Sequence, residues 1–406
     1  MLYLASKSPR RRELIAKLGI PFEVCPANAS EDLPPRIAPM DAVELLARRK
    51  CEAGASDKQG ADFVVGADTL VFLDGEPLGK PRDPEDAFRM LKQLSGTVHS
   101  VCTGVAVWHE GVLLSGARET LVSFRTLTDR EIMRYVKTGE PMDKAGAYGI
   151  QGKGGKLVAS YRGDFDNVIG LPVDLVGELI ETQKKRAHMA QVCESLQRLY
   201  PEAECALRYE GDPWRLLVMG RLSAQCTDKR VNEVSVSLFQ KYPTPEAMAN
   251  ADLEELAEAV RPCGLFRTKA QNLKAASEML VREYGGVLPD TMEELLRFPG
   301  VGRKIANLLL GDIFGKPAIV TDTHFIRICA RLGAYEKSLT DPYKIEKRMQ
   351  PLLAPEESAD FCHRIVLFGR EICTARSPKC TSCPLASLCA HPTAKVAAGN
   401  LLSPTP

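Results

Sequence analysis

The sequence lacks the features of a membrane or secreted protein. No uninterrupted apolar stretch approaches the roughly 20 residues that a membrane-spanning helix needs. No signal peptide and no internal repeat can be recognised in the 406 residues. We therefore expect a cytoplasmic globular protein without a membrane partner.

The sequence also lacks an excess of charge of either sign. Its 53 Lys and Arg residues are matched by 52 Asp and Glu residues, so the net charge is +1 and any affinity for nucleic acid must be local. One local excess exists between residues 361 and 395, where Glu371 is the single acidic residue. The basic residues of this segment are Arg364, Arg370, Arg376, Lys379 and Lys395.

Length and patterning predict two domains. A chain of 406 residues exceeds what one hydrophobic core normally serves. Up to about residue 182, β-branched runs (63–65, 69–72 and 101–108) alternate with helical patterns such as 84–94, which indicates an α/β domain. Beyond it, the 3.6-residue helical period dominates, at residues 253–260, 268–284, 291–297, 303–314 and 343–353. We predict an α/β domain over residues 1–182, a linker over 183–189, an all-α domain over 190–395 and a flexible tail over 396–406.

Four of the thirteen cysteines form a ladder near the C-terminus. Cys373, Cys380, Cys383 and Cys389 have the spacing C-x6-C-x2-C-x5-C. Four thiolates can hold a tetrahedral zinc ion or a cubane iron–sulfur cluster. Structural zinc usually takes paired C-x2-C knuckles, so the single pair with wide flanking gaps favours the cluster. An odd cysteine total argues against a disulfide framework.

Two motifs in the second half contain charged residues at predicted helix starts. The segment from Phe298 to Lys304, Phe-Pro-Gly-Val-Gly-Arg-Lys, predicts a glycine hairpin whose backbone N–H groups could bind a DNA phosphate. Many helix pairs turn in this way for packing alone. Asp322, in Val-Thr-Asp-Thr-His, precedes another helical pattern, and taken alone it is better explained as a helix N-cap.

Together with the cysteine ladder, these motifs resemble the endonuclease III family of DNA glycosylases and AP lyases over about residues 185–392. Further motifs shared with that family are Leu-Ser-Ala-Gln-Cys-Thr-Asp at 222–228 and Cys-Gly-Leu-Phe at 263–266. The resemblance implies a helix-hairpin-helix fold, a [4Fe–4S] cluster on the ladder and a duplex DNA substrate with damaged pyrimidines or AP sites. It makes Lys304 the nucleophile and Asp322 its catalytic partner. The implied DNA-binding residues are Gln225, Leu265, Gly300, Gly302 and Arg303.

The first half contains three short motifs of its own. They are Leu-Ala-Ser-Lys-Ser-Pro-Arg-Arg-Arg at residues 4–12, Gly-Ala-Asp-Thr at 66–69 after a strand, and Gly-Lys-Pro-Arg-Asp at 79–83. Each alone is also typical of a solvated loop or turn. Together with Ala-Gly-Ala-Tyr-Gly-Ile-Gln-Gly at 145–152, they resemble the Maf family of nucleoside triphosphate pyrophosphatases over about residues 1–182. The resemblance implies a mixed sheet with a central cleft, and we expect a homodimer through this domain.

The Maf resemblance also implies site residues. Asp68 would be the base for the attacking water and Glu31 a ligand of Mg²⁺, which suits a substrate with several negative charges. Phosphate binders would be Ser6, Arg10, Lys50 and Lys80, whereas Arg11 could equally be a surface charge. The dTTP/UTP branch of the family is indicated by Arg10, Thr69 and Gln151, because a glutamine amide can pair with the O4 and N3–H edge of uracil or thymine.

The sequence thus predicts two enzymes on one chain. One would hydrolyse dTTP, UTP or modified pyrimidine triphosphates to the monophosphate and pyrophosphate, and the other would excise oxidised pyrimidines from DNA and cut the strand. The alternatives are a glycosylase without lyase activity or a non-catalytic DNA-binding module in the second half, and a nucleotide-sensing septum regulator in the first.

Overall fold

The protein folds into two units in the computed structural model, which describes residues 1–58 and 63–394. The first unit ends at Lys184 and the second begins at Lys185. The first is a mixed α/β unit and the second is helical, so the predicted fold classes are confirmed. The tail expected over residues 396–406 lies outside the described residues.

The first unit is built on one open mixed sheet. Its strand order is β2-β1-β3-β5-β6-β7, with β4 paired to β3. The β1 strand is parallel to both β2 and β3, and the remaining pairs are antiparallel. The strands described are β1 (Leu2–Leu4), β2 (Phe22–Val24), β3 (Phe63–Leu73), β4 (Glu76–Leu78), β5 (Val98–His109), β6 (Val112–Phe124) and β7 (Val158–Arg162).

Helices pack on this sheet and supply much of the first unit's core. The predicted linker, residues 183–189, lies within the long helix α6. Gln183 of α6 is buried and donates to the carbonyl oxygens of Val107 and Val112, both at 2.9 Å. These helices are α1 (Pro9–Ala16), α2 (Pro39–Ala55), α3 (Pro84–Leu94), α4 (Asp129–Val136), α5 (Phe165–Ile169) and α6 (Val173–Leu199).

The expected pair of strands at 63–65 and 69–72 is one strand, so the prediction that the Gly-Ala-Asp-Thr motif follows a strand was wrong. Residues 66–69 lie inside β3. The glycine serves close packing rather than a turn, because a Cβ at Gly66 would lie 2.5 Å from the carbonyl oxygen of Ala47 on α2. On the neighbouring strand, a Cβ at Gly104 would lie 2.1 Å from the carbonyl oxygen of Val43. Helix α2 therefore rests directly on the backbone of β3 and β5.

The second unit has ten further helices in its described part. Helix α10 has the predicted bounds, whereas α15 ends at Met349 instead of the predicted residue 353 and continues as a short 3₁₀ turn containing Pro351. Proline lacks the N–H that an α-helix needs there. The helices are α7 (Pro213–Leu222), α8 (Asp228–Lys241), α9 (Pro245–Ala249), α10 (Leu253–Val260), α11 (Phe266–Tyr284), α12 (Met292–Leu295), α13 (Arg303–Asp312), α14 (Thr323–Leu332), α15 (Pro342–Met349) and α16 (Ser358–Glu371).

Two hydrophobic cores hold these helices together. One lies among α7 to α13 and contains Trp214, Leu238 and Phe298. The other lies among α14 to α16 and the start of the unit, around Phe325 and Phe361, and the cysteine-rich segment packs against it. None of the helices in the described part of the chain is long and apolar enough to cross a membrane.

Candidate active sites

A cleft in the first unit collects most of the site residues predicted there. It encloses about 1960 Å³ of space, open solvent at its mouth included. The start of α1, the end of α2, β3 and the loops after β4 and α4 form its walls. Predicted residues that line it are Ser6, Arg10, Glu31, Lys50, Asp68, Thr69 and Lys80.

Asp68 lies at the centre of an ionic cluster in this cleft. Its carboxylate is largely buried and accepts a hydrogen bond from Lys50 Nζ at 2.8 Å. The same Nζ donates to Glu31 at 3.1 Å, so one ammonium group bridges two carboxylates. Close packing of α2 on the sheet at Gly66 and Gly104 is what brings Lys50 to Asp68. The two carboxylates provide hard oxygen ligands around the position of the Lys50 ammonium group, and this donor set fits Mg²⁺.

Arg11, which the sequence analysis left open as a surface charge, lies in the cleft. Its guanidinium donates to the Gly170 carbonyl at 2.9 Å and to Thr69 Oγ1 at 3.1 Å, and lies 3.8 Å from the Asp68 carboxylate. Burial lowers the pKa of Arg11 below its ordinary value, and the Asp68 carboxylate opposes that shift. Its place one residue after Arg10, in the first turn of α1 behind the cap Ser8, was the available signal.

Of the three residues that indicate the dTTP/UTP branch, two lie in the cleft and one does not. Arg10 lines the cleft with its guanidinium 3.9 Å from Asp143, and Thr69 shares a 3.0 Å hydrogen bond with Thr103. Gln151 is exposed, and within the described part of the chain it is not among the residues that line the cleft. Its neighbour Ile150 does line it.

The glycine hairpin of the second unit connects α12 to α13. Gly300 has φ +77°, and an added Cβ would lie 2.5 Å from Arg221 Nε and 2.7 Å from Asn272 Nδ2, so only glycine fits. Arg221 therefore packs beneath the hairpin, and burial lowers its pKa. Gly302 caps α13 without a side-chain hydrogen bond, and a Cβ there would meet open space. The first N–H groups of α13 thus form an open anion-binding end.

Lys304 and Asp322 lie at the starts of two helices. Lys304, the second residue of α13, is exposed, and its amine makes no hydrogen bond or ion pair with residues 1–58 or 63–394. Asp322 is the N-cap of α14 and accepts a 2.7 Å hydrogen bond from the Phe325 N–H through Oδ1. The capping interpretation of Asp322 is therefore correct. The cap hydrogen bond orients the carboxylate through Oδ1 and leaves Oδ2 outside the cap.

Arg303, predicted to contact DNA, is engaged in an internal ion pair. Its guanidinium donates two hydrogen bonds to the buried carboxylate of Glu346, one of them 3.0 Å long. The same carboxylate accepts a hydrogen bond from Asn307 at 3.1 Å. The guanidinium also lies 4.7 Å from the ring centroid of Tyr343. Glu346 thus compensates much of the positive charge beside Lys304, so Arg303 anchors α13 to α15.

Gln225 and Leu265 lie exposed in unusual backbone conformations. Gln225 has φ +55° and Leu265 has φ +48°, both in the left-handed region that non-glycine residues rarely adopt. The Leu265 side chain is 56% exposed, a high value for a large apolar residue. Such strain is typical of functional loops.

The four cysteines of the ladder line one cavity. Ile328, Phe368 and Leu385 form its apolar wall. Burial raises the pKa of the Cys383 thiol to about 11, and Arg331 donates to Cys373 Sγ at 3.2 Å. No three His, Cys, Asp or Glu side chains in the described ranges are arranged to hold a single metal ion. Four thiols facing one apolar cavity are a donor set that fits an iron–sulfur cluster.

Comparisons with known families cover both units. Residues 1–183 match the family described as Maf-like protein, residues 218–355 the HhH-GPD superfamily of base excision DNA repair proteins, and residues 373–389 the iron–sulfur binding domain of endonuclease III. The chain is 51% identical to the dTTP/UTP pyrophosphatase of Thermococcus onnurineus over 181 residues, which are 45% of this chain and 97% of the relative. It is 44% identical to endonuclease III of Synechocystis over 206 residues, which are 50% of this chain and 93% of the relative.

The chain belongs to both families: it is a fusion of a Maf-like protein with an endonuclease III. Both parts are enzymes, a pyrophosphatase domain followed by a DNA repair glycosylase domain with an iron–sulfur binding segment. Among solved structures, a non-covalent endonuclease III–DNA complex aligns with a TM-score of 0.49 and 38% identity, over 53% of this chain and 98% of that one.

Proposed function

We propose that the first unit hydrolyses dTTP and UTP, and modified pyrimidine triphosphates, to the monophosphate and pyrophosphate. The observation that carries the proposal is the cationic cluster of Arg11 and Lys50 around the carboxylate of Asp68. The 51% identity to a dTTP/UTP pyrophosphatase supports the choice of nucleotide.

In this mechanism Asp68 removes a proton from the attacking water, and cations stabilise the charge that develops on the phosphoryl oxygens. The phosphates would be bound by Ser6, Arg10, Arg11 and Lys80, since all four line the cleft. Mg²⁺, held by Glu31 and Asp68, would supply a further cation against the triphosphate. Lys50 holds both carboxylates in position before substrate arrives.

Pyrophosphate release from dTTP by the intact chain tests this function. Asp68→Asn removes the base and should abolish release, whereas Asp129→Asn, at an exposed ion pair with Lys92, should leave it unchanged. A nucleotide-sensing septum regulator would bind dTTP without turnover. Absence of pyrophosphate from the wild-type protein, with binding retained, would establish that alternative.

We further propose that the second unit removes oxidised pyrimidines from duplex DNA and cuts the strand by β-elimination. The supporting observation is an exposed amine, Lys304, at the open N-terminal end of the hairpin helix, in a chain that also has the Asp322 carboxylate at a helix start. The 44% identity to an endonuclease III supports the same reaction class.

Its chemistry follows from the amine. The Lys304 amine attacks C1′ of the flipped nucleotide, the base leaves with its bonding electrons, and the attacking nitrogen loses a proton. The C1′–O4′ bond of the sugar ring then breaks as the Schiff base forms, and O4′ takes up a proton. Loss of a 2′ proton then expels the 3′ phosphate. Asp322, with one oxygen fixed by its cap, would accept the proton and stabilise the cationic sugar. Gln225 would fill the vacated space, and Leu265 would enter the stack.

The cysteine ladder would hold a [4Fe–4S] cluster with a structural role. Cys373, Cys380, Cys383 and Cys389 would be its ligands, and a bound cluster supplies cross-links between segments rather than chemistry at Lys304. The ladder packs on the core that also holds the start of α14 and hence Asp322. We also propose a cytoplasmic location and a homodimer through the first unit.

Borohydride trapping on an AP-site duplex distinguishes the possibilities for the second unit. Reduction should link the wild-type protein covalently to DNA, and Lys304→Ala should abolish the link. Lys316→Ala, which removes an exposed amine paired with Asp290, is the matched control and should be trapped as wild type. Base release from a duplex that contains an oxidised pyrimidine, without trapping on the AP-site duplex, would identify a monofunctional glycosylase. Binding without base release or scission would identify a non-catalytic module.

A further inference from the structure

Two loops of the second unit hold the residues proposed to enter the duplex. We call residues 223–226 and 263–265 the insertion loops. Gln225 and Leu265 both have positive φ, which is unfavourable for a non-glycine residue and persists only where surrounding structure fixes it. Neither strained residue is held by its own side chain, because both side chains are exposed. Some other group must therefore hold the loops.

That group is Lys269 on α11, whose side chain is fully buried at 0% exposure. Its Nζ donates to the carbonyl oxygens of Leu222 at 2.8 Å, Ala224 at 2.7 Å and Cys263 at 2.9 Å. An ammonium group has three N–H donors, and all three are used. Two bonds end on or directly before the first insertion loop and one on the second. A single nitrogen thus ties both loops together.

A simple core role explains Lys269 poorly. Burial lowers its pKa, and no carboxylate in the described ranges pairs with it, so its hydrogen-bond acceptors are three backbone carbonyl oxygens. A buried ammonium is costly, and an apolar side chain would fill the same space without that cost.

We propose that Lys269 is a positioning residue for DNA insertion, which pre-shapes Gln225 and Leu265 for entry into a duplex at the damaged site. The inference rests on the proposed glycosylase function. Loops that are already ordered lose less conformational entropy on binding, so the effect of Lys269 is specific to the inserted state. Binding to undamaged duplex, where nothing is inserted, does not depend on it.

Lys269→Met in the intact chain tests the proposal. The dissociation constant for a duplex with a tetrahydrofuran abasic-site analogue should rise about tenfold, and that for undamaged duplex should change less than about twofold. Fluorescence of a 2-aminopurine placed opposite the analogue should report reduced insertion. Lys274→Met is the matched control: Lys274 lies on the same helix and donates to the Ala251 carbonyl at 2.7 Å, away from the loops. It should leave both constants unchanged.

Two results would overturn the inference, and a third would refute the function on which it rests. Equal losses on damaged and undamaged duplex would mean that Lys269 does not act through insertion. Failure of both Lys269→Met and the milder Lys269→Gln to fold, judged by circular dichroism and iron–sulfur absorbance, would assign Lys269 to the core. A wild-type protein that binds both duplexes equally and cuts neither damaged nor AP-site DNA would instead refute the proposed glycosylase function.

Discussion

A methyl group at Gly104 should disable the pyrophosphatase without touching any of its site residues. An alanine Cβ would lie 2.1 Å from the Val43 carbonyl oxygen on α2, whereas ordinary van der Waals contact begins at 3.4 Å. Helix α2 must therefore move away from the sheet by about 1.3 Å, and Lys50, near its end, moves with it. A misplacement of about 1 Å can cost about 100-fold in rate, and overpacking costs about 1–3 kcal/mol of stability.

The assay is pyrophosphate release from dTTP, measured beside thermal unfolding. Gly104→Ala should lower kcat/KM about 100-fold while the protein remains folded. Gly116→Ala is the matched control, because Gly116 lies on the next strand and its Cβ would be in ordinary contact, 3.5 Å from Leu175. A folded Gly104→Ala protein with wild-type kcat/KM would refute the claim that close packing of α2 places Lys50. Equal losses in the two variants would refute it as well.

Two further predictions concern stability. Burial lowers the pKa of His99, which bonds to Tyr148, from 6.5 to about 4, so the folded state resists protonation. The contribution of neutral His99 to the free energy of unfolding is fully present above pH 6.5 and falls by about 3 kcal/mol towards pH 4. In urea unfolding, the free energy of unfolding of His99→Gln should therefore depend less on pH than that of the wild type. The same pH dependence in both proteins would contradict the prediction. Glu346→Gln should destabilise the second unit by about 2 kcal/mol, because it leaves Arg303 beside an uncharged partner and Arg303 is only one third exposed. Glu255→Gln, at the exposed pair with Lys241, should leave stability close to that of the wild type, and equal effects of the two variants in a denaturant titration would show that burial of the pair is unimportant.

Sequence reasoning predicted the order of the folds well because its signals were local. Periodicity, caps and prolines define α3 and α10 at their observed ends. It failed at residues 66–69, where a glycine that allows close packing was interpreted as part of a loop after a strand. A sequence does not distinguish these uses of glycine, since the difference lies in α2, at least eleven residues away.

The sequence identified many of the site residues, but it did not predict which groups they contact. Lys50 and Asp68 were both identified, yet nothing local shows that one ammonium bridges Asp68 and Glu31. Arg303 looked like a free cation beside a hairpin, and only tertiary packing reveals its partner Glu346, 43 residues later. Lys269 could not have been singled out, because its three acceptors are backbone carbonyls, which leave no mark on the sequence.

The central claim is that one chain carries two independent active sites, one around Asp68 and one at Lys304. The most direct measurement compares Asp68→Asn and Lys304→Ala, each in the intact protein, on dTTP and on an AP-site duplex. The account predicts that Asp68→Asn loses pyrophosphate release and keeps strand scission, and that Lys304→Ala loses scission and keeps pyrophosphate release. It is contradicted if either variant retains both activities.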